Sequence, residues 1–284
     1  MTKKLTIAVP ASVVSDTPHL REKTAKIGYI GRAAAIFRVR EIVVYADDPK
    51  ANQRRDIDLV TLLLSYLETP QYLRKRLFQL KPELQYAGIL PPLRTPHHPN
   101  QGRIRELKVG EYREGVVLSQ AKEGVLVDIG VEQPALLRAS DLAVNQRVTV
   151  QLVNVSQTRP EVQLVERDEV PEYWGYIVKA EPDSLKRVLC DSRFDLKIGT
   201  SRVAPPLQDV SLRLRGKWAR SDRVLLAFGS PSRGLHEIAA EEGFRLEDAV
   251  DFVVNTLPGQ GTETVRTEEA VLATLAVLNM QFGF

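Results

Sequence analysis

The strongest constraint on this chain is a set of short, uninterrupted apolar runs, LTIAV at residues 5–9 and RVLLAF at 223–228 among them. Strands without alternation of apolar and polar residues are buried on both faces, the habit of parallel sheets covered by helices. The first run is closed by Pro10. Thr17 and Pro18 then form a helix start, a capping hydroxyl followed by proline at the first helical position. That helix is expected from His19 to about Val39. EIVVYADD at 41–48 reads as a second strand, DIDLVTLLLSYLE at 56–68 as a helix, and YLRKRLFQL at 72–80 as a basic helix beyond Pro70. Strand–helix–strand–helix alternation builds a mostly parallel sheet.

The pattern then breaks. Residues 82–103 are rich in proline and read as an extended connector. Short strand-like segments follow: GEYREGVVLSQ, GVLVDIG, PALLR and RVTVQLVNV, none with helical periodicity. Four or five strands over about 60 residues suggest a small barrel. From Trp174 the α/β character returns with YWGYIVKA, a short helix in DSLKRVLC and a basic loop region. The strand at 223–228, a strand ending in DFVVN and a closing helix at 267–279 complete the chain. The expected organisation is a discontinuous α/β domain, residues 1–92 and 169–284, with an all-β insertion at 93–168.

The 284 residues include one cysteine, Cys190, which excludes a disulfide framework and a cysteine-based zinc site. No apolar stretch approaches the ~20 residues that span a bilayer, and the amino-terminal run is too short for a secretory signal. A soluble, cytoplasmic protein is expected. The net charge of +3 hides an asymmetry: residues 1–40, 71–108 and 184–223 each carry +6, whereas 109–170 carry −4 and 224–284 carry −6. Clustered arginine and lysine are the footprint of a polyanion partner, usually nucleic acid. Solvated helix faces would give the same count, so charge alone leaves both readings open.

Two glycine-bearing loops, each leaving the end of an expected strand, are the most informative segments: residues 225–238 and 251–275. In an open α/β sheet, ligands bind beyond the carboxyl ends of strands, where glycine lets backbone amides approach closely. GQGTET at 259–264 lacks the third glycine of the dinucleotide fingerprint, and only 23 residues follow Gly261, too few to open a βαβ unit. A phosphate-cradling G-x-x-x-x-G-K-[ST] is absent. Any nucleotide pocket must be shared between loops.

GYIGRAAAIFRV (28–39), LLAFGSPSRGL (225–235) and NTLPGQGTETVRTEEAVLATLAVLN (255–279) together resemble the SPOUT superfamily of RNA methyltransferases. More narrowly, they resemble its archaeal and eukaryotic members that carry an OB-fold-like insertion. The resemblance covers essentially the whole chain. It implies an α/β domain tied in a trefoil knot by its carboxyl-terminal segment, with an inserted OB/S1-like β-barrel. It also implies a homodimer and S-adenosylmethionine bound in the knot. Cofactor contacts are expected from Phe228, Gly229 and Gly234 of the first loop, and from Leu257, Pro258, Gly259, Gln260, Thr264 and Val265 of the second. No metal is expected. Arg32 is the catalytic candidate, placed by the resemblance against the target nucleotide, where a fixed cation could hold a phosphate or favour a deprotonated nucleophile. RNA, ribosomal RNA above all, is the expected partner. Its contacts are expected from Arg38, from the connector residues Arg94, Arg103, Arg105 and Lys108, and from Arg233 and Arg266. Base nitrogen, such as uridine N3, and ribose 2′-oxygen both stand as acceptors. Two rivals remain at this point: a non-catalytic RNA-binding or ribosome-assembly factor that retains the fold, and a nucleotide-dependent enzyme using GQGTET for phosphate.

Other residues read as structural. Ser15, Asp16 and His19 are spaced for a helix cap rather than a triad. His97 and His98 lie in the connector without nearby ligands, and Cys190 reads as a small apolar residue. Glu268 and Glu269 complement a helix dipole, although a carboxylate near the pocket could assist as a base. The barrel segment is acidic, with Tyr112 its only aromatic between 109 and 170. RNA would meet it at a patch around Arg113, Lys122 and Arg138 or at the basic connector, and a purely structural barrel competes with both.

Overall fold

The computed structural model describes residues 3–139, 141–156 and 159–284. Its elements run β1 (Lys4–Pro10), α1 (Leu20–Ile36), β2 (Glu41–Tyr45), α2 (Arg54–Glu68), α3 (Gln71–Leu77), β3 (Tyr112–Ala121), β4 (Gly124–Asp128) and β5 (Ala135–Leu137). They continue through β6 (Arg147–Val155), β7 (Pro160–Leu164), β8 (Ile177–Glu181), α4 (Leu185–Leu189), β9 (Leu196–Thr200) and α5 (Leu207–Arg220). The chain closes with β10 (Arg223–Ala227), α6 (Leu235–Glu241), α7 (Leu246–Ala249), β11 (Phe252–Val254) and α8 (Thr267–Phe282). Two compact units result: one is Met1–Leu67, Pro82–Pro92 and Tyr176–Phe284, the other Glu68–Lys81 and Leu93–Gly175.

The first unit is built on a six-stranded sheet in the order β11–β9–β10–β1–β2–β8, every pairing parallel. The apolar runs form its centre: Ile7 stands opposite Leu226 on one side and Ile42 on the other, all fully buried. Burial on both faces is what removes the alternation from these strands. α1 begins later and ends earlier than the sequence suggests. His19, not Thr17, occupies its N-cap, and the Thr17 hydroxyl donates to Asp16 instead. At the other end Arg38 takes a left-handed backbone (φ 55°), with its N–H on Ala35 and the Val39 N–H on Ala34, the double bond of a Schellman stop.

The basic region expected to be loop holds a central strand and a long helix. β9 pairs with β10 and β11, burying Leu196 and Ile198. Its apolar signal is cut by Lys197 and Gly199, which hides a five-residue strand from a reading by hydrophobic runs. α5 buries Leu207, Leu214 and Trp218 on one stripe and leaves its charges outside. Cys190 also departs from expectation: it is exposed at the C-cap of α4.

The second unit is a closed barrel, β3–β4–β5–β7–β6, in which only β5 and β7 run parallel. Alternating residues of β6, Val148, Val150 and Leu152, point inward with Val117, Val127 and Val162. Arg113 is not a surface residue; it is 1% exposed and held by Glu111 and Gln101. Arg138 is exposed and paired with Glu123 and Glu161.

A polar network ties this unit internally around Glu68, whose carboxylate meets Arg147 at 2.7 Å, Arg167 at 2.6 Å and His97 at 3.3 Å. Burial alone would raise this carboxyl. The charge of Arg147, the hydrogen bond from His97 and the charge of Arg167 outweigh it and hold the group far below the usual carboxylate range. The Glu68 carbonyl accepts from Nε2 of both His97 and His98. Burial and the neighbouring His97 push His98 down to about 4.

Unfolded His98 binds a proton that the folded residue refuses, so stability is full above its ordinary value of 6.5 and falls as the pH drops towards about 4. Chemical unfolding of the barrel unit should become easier across that window, and His98→Asn should flatten the profile; a profile already flat in the parent protein would contradict this. Glu68→Gln, which leaves Arg147 and Arg167 without their carboxylate, should cost about 3–5 kcal/mol at neutral pH.

Candidate active site

The sheet order places the carboxyl ends of β11, β9 and β10 side by side, and the chain leaves them as three loops, residues 201–206, 228–234 and 255–266. The loops are stitched together by main-chain and short polar contacts. Ser201 N–H donates to Val254 at 3.0 Å, Asn255 N–H to Pro205 at 2.9 Å and Leu207 N–H to Asn255 at 2.9 Å. The Asn255 amide donates to Arg202 carbonyl and accepts from Leu257 N–H, both at 2.9 Å. Arg202 in turn donates to the Glu263 carbonyl at 2.9 Å. On the other side the Thr267 hydroxyl reaches the Gly229 carbonyl at 3.1 Å, and the Thr200 hydroxyl the Ala227 carbonyl at 3.0 Å. The last loop is therefore held from both neighbours.

That loop is held by its carbonyls and side chains, while its amides stay open. Among the described residues, none accepts a hydrogen bond from the main-chain N–H groups of Gly259 to Val265. Gln260 folds its side chain back onto the Thr262 and Glu263 carbonyls, at 2.9 and 3.2 Å. Gly259 has φ +72°, and a Cβ there would meet nothing within 4 Å. Gly229 is the opposite case: a Cβ would lie 2.9 Å from the Arg233 carbonyl and 3.1 Å from Gly234 Cα, so the chain needs glycine for a close approach. A row of open amides beside apolar Leu257 and Val265 suits an uncharged, acceptor-rich group.

The other expected residues fall into distinct settings. Phe228 is buried, its N–H on Ala8 and its carbonyl taken by the Tyr45 hydroxyl at 2.6 Å, so it backs the first loop from the core. Gly234 opens α6, with its N–H on Glu237. Pro258, Gly259 and Thr264 are exposed; Leu257, Gln260 and Val265 are half-buried. Arg32 sits one turn before the end of α1 and donates to the Pro92 carbonyl at 2.8 Å. α1 meets the first turn of α8 through Lys26, nearly buried, 2.7 Å from Asp16 and 3.4 Å from Glu268. Glu269 accepts from Arg266 N–H at 2.9 Å. Arg233 is ringed by carboxylates, Glu241 at 2.6 Å, Asp47 at 3.3 Å and Asp48 at 3.4 Å. Arg38 donates to the Phe284 carbonyl. Arg266 is exposed; so are Arg94, Arg103, Arg105 and Lys108, which belong to the barrel unit.

Sequence reasoning passed over Asn255, Arg202 and Asp47. Asn255 follows β11 directly, a position where an amide side chain often bonds its own loop, and that signal was available. Asp47 is fully buried, bound by Ser12 N–H at 3.0 Å and hydroxyl at 2.6 Å from 35 residues away and by the Gln53 amide at 2.9 Å; the Ser12 contact has no signal in a short window.

A family model described as "Putative RNA methyltransferase" matches residues 4–278. An uncharacterised protein of Halobacterium salinarum is 36% identical over 96% of this chain and 98% of its own length. The 28S rRNA (uridine-N(3))-methyltransferases of Drosophila melanogaster and Homo sapiens are 33% and 32% identical, each over 96% of this chain and over 61% and 77% of their own lengths.

The glycines of the loops separate by their surroundings. Gly229→Ala should lower stability by more than about 1 kcal/mol through its backbone clash, and Gly259→Ala by about 1 kcal/mol through its positive φ. Gly234→Ala, at an ordinary φ with open space, should fall within about 0.5 kcal/mol of the parent. Thermal unfolding of the three variants checks the order, and equal losses at Gly229 and Gly234 would contradict it.

Proposed function

The chain belongs to this family of RNA methyltransferases, and from that premise we propose that it transfers the methyl group of S-adenosylmethionine to RNA. Uridine N3 of a ribosomal RNA is the favoured acceptor, since two similar proteins bear that activity in their names. The observation that carries the cofactor assignment is the row of open amides from Gly259 to Val265. S-adenosylmethionine supplies an activated methyl group on a sulfonium, so the protein's work is alignment and management of the nucleophile's proton.

In this reading Leu257, Pro258, Gly259, Gln260, Thr264 and Val265 hold the adenosyl group through main-chain groups and apolar contact. Gly229 and Gly234 shape the facing loop, and Phe228 supports it from the core. The bonds from the last loop to residues 201–206 on one side and to Gly229 on the other support a segment threaded between its neighbours, the geometry of a trefoil knot. The barrel's strand order, with its third and fifth strands parallel, supports an OB-like insertion.

A homodimer is supported by apolar side chains left exposed on two helices that pack together, Tyr29 (65%) and Ile36 (52%) on α1 and Leu272 (45%) and Met280 (85%) on α8. Arg32 shares the helix face of Tyr29 and Ile36 by its spacing. A second copy on that face brings Arg32 to the edge of the interface, where its guanidinium can steady RNA phosphate or a developing anion on the base. Exposed Arg38, Arg94, Arg103, Arg105, Lys108 and Arg266 are proposed as phosphate contacts, with Arg233 contributing once its carboxylates release it.

Titration with labelled S-adenosylmethionine tests the cofactor site. Gly259→Val should weaken binding by about tenfold or more, while Arg32→Ala should cut turnover by about tenfold and leave cofactor affinity within about twofold. Equal loss of affinity and turnover in Arg32→Ala would make that residue structural. Mapping methyl marks on total RNA with and without the gene identifies the nucleotide, and an unchanged map would contradict the activity. RNA affinity should fall steeply with salt.

A further inference from the structure

We propose that the barrel unit holds one nucleotide of single-stranded RNA in a cleft between the proline-rich connector and the start of β3. The inference rests on the RNA reading above and uses residues that lie outside the three loops.

The cleft measures about 620 Å³ and is lined among others by Arg94, Thr95, His98, Tyr112, Pro171 and Trp174. That is the size class of small-ligand sites. Its apolar wall is the half-buried Tyr112 ring, set edge-on at 6.1 Å against Trp174, which is itself buried (1% exposed) and backs the tyrosine with its indole N–H fixed on Glu114. Flat apolar surfaces of this kind take the face of a base, which every nucleobase offers.

Two hydroxyls of the cleft are left without internal partners. Among the described residues, nothing bonds the Tyr112 hydroxyl, and the Thr95 hydroxyl is buried with no partner. His98 directs Nε2 at the Glu68 carbonyl, which can only accept, so Nε2 carries the proton and Nδ1 keeps a lone pair. With its pKa depressed to about 4, the ring is neutral near pH 7. Neutral donors and acceptors of this kind can read the edge of a base.

Arg94 supplies the remaining chemistry. It is exposed at the rim, takes a left-handed backbone (φ +51°) unusual for a side chain of its size, and meets no carboxylate among the described residues. A strained cation kept unpaired beside a base-sized slot fits the single phosphate that accompanies a base. Glu111 and Glu172 also line the cleft, which disfavours a triphosphate or a run of acidic residues. Arg103, Arg105 and Lys108, exposed in the same unit, suit the neighbouring phosphates of a strand.

The test uses the full chain and a short fluorescent single-stranded RNA read by anisotropy, with uridine monophosphate and DNA of the same sequence as further probes. Glycine accepts the backbone of residue 94 without strain, so Arg94→Gly should fold normally and weaken RNA binding by about tenfold. Tyr112→Phe, which removes only the hydroxyl, should weaken it by about threefold, and Lys122→Ala on the distant β3–β4 turn by less than about twofold. RNA bearing 4-thiouridine should crosslink to the peptide containing Tyr112. Unchanged affinity in both cleft variants, with crosslinks elsewhere, overturns the cleft and leaves the methyl-transfer reading standing. Monophosphate binding as tight as that of the oligonucleotide overturns the assignment to an RNA strand. Absence of any RNA binding, with S-adenosylmethionine still bound, overturns both the cleft and the substrate.

Discussion

The loop from Gly259 to Val265 is exposed along most of its length, and its main-chain amides have no partner among the described residues, although the segment is fastened to both of its neighbours. Its anchors are carbonyls and side chains: Arg202 grips the Glu263 carbonyl, Asn255 bonds to both Arg202 and Leu257, and Thr267 bonds to Gly229. The donors are thereby left free by a frame that does not consume them. Everything proposed for the first unit depends on this division of labour. The parallel sheet brings β11, β9 and β10 to one edge, and the first loop approaches closely because Gly229 has no side chain.

The parts legible in the sequence were those with a physical signature in a short window. Strands buried on both faces announce themselves as apolar runs, and LTIAV and RVLLAF became β1 and β10 at the centre of the sheet. The barrel segments are short and lack helical periodicity, and they formed a closed five-stranded barrel. β9 escaped because Lys197 and Gly199 interrupt a run of only five residues, and α5 because its buried stripe is sparse among arginines.

The site was legible only in part, for a related reason. Glycines at strand ends mark where a backbone can approach a ligand, so the two loops stood out. What holds them is long-range. Asp47 gathers Ser12, Gln53 and Arg233, and the pairing of Arg233 with three carboxylates changes it from a surface cation into part of a network. Arg113 changed in the same way, from a candidate surface charge to a buried one satisfied by Glu111 and Gln101. Charge counts along a sequence do not distinguish a free guanidinium from one already spoken for, and only the fold supplies that difference.

The central claim is that the open amides of the last loop grip the methyl donor. Hydrogen–deuterium exchange with and without S-adenosylmethionine measures those amides directly, since unbonded N–H groups exchange fast and ligand-bonded ones slowly. The account predicts strong protection confined largely to residues 257–266 and the facing loop at 228–234. Saturating donor that leaves these amides exchanging as before, or protects a different region, would contradict it.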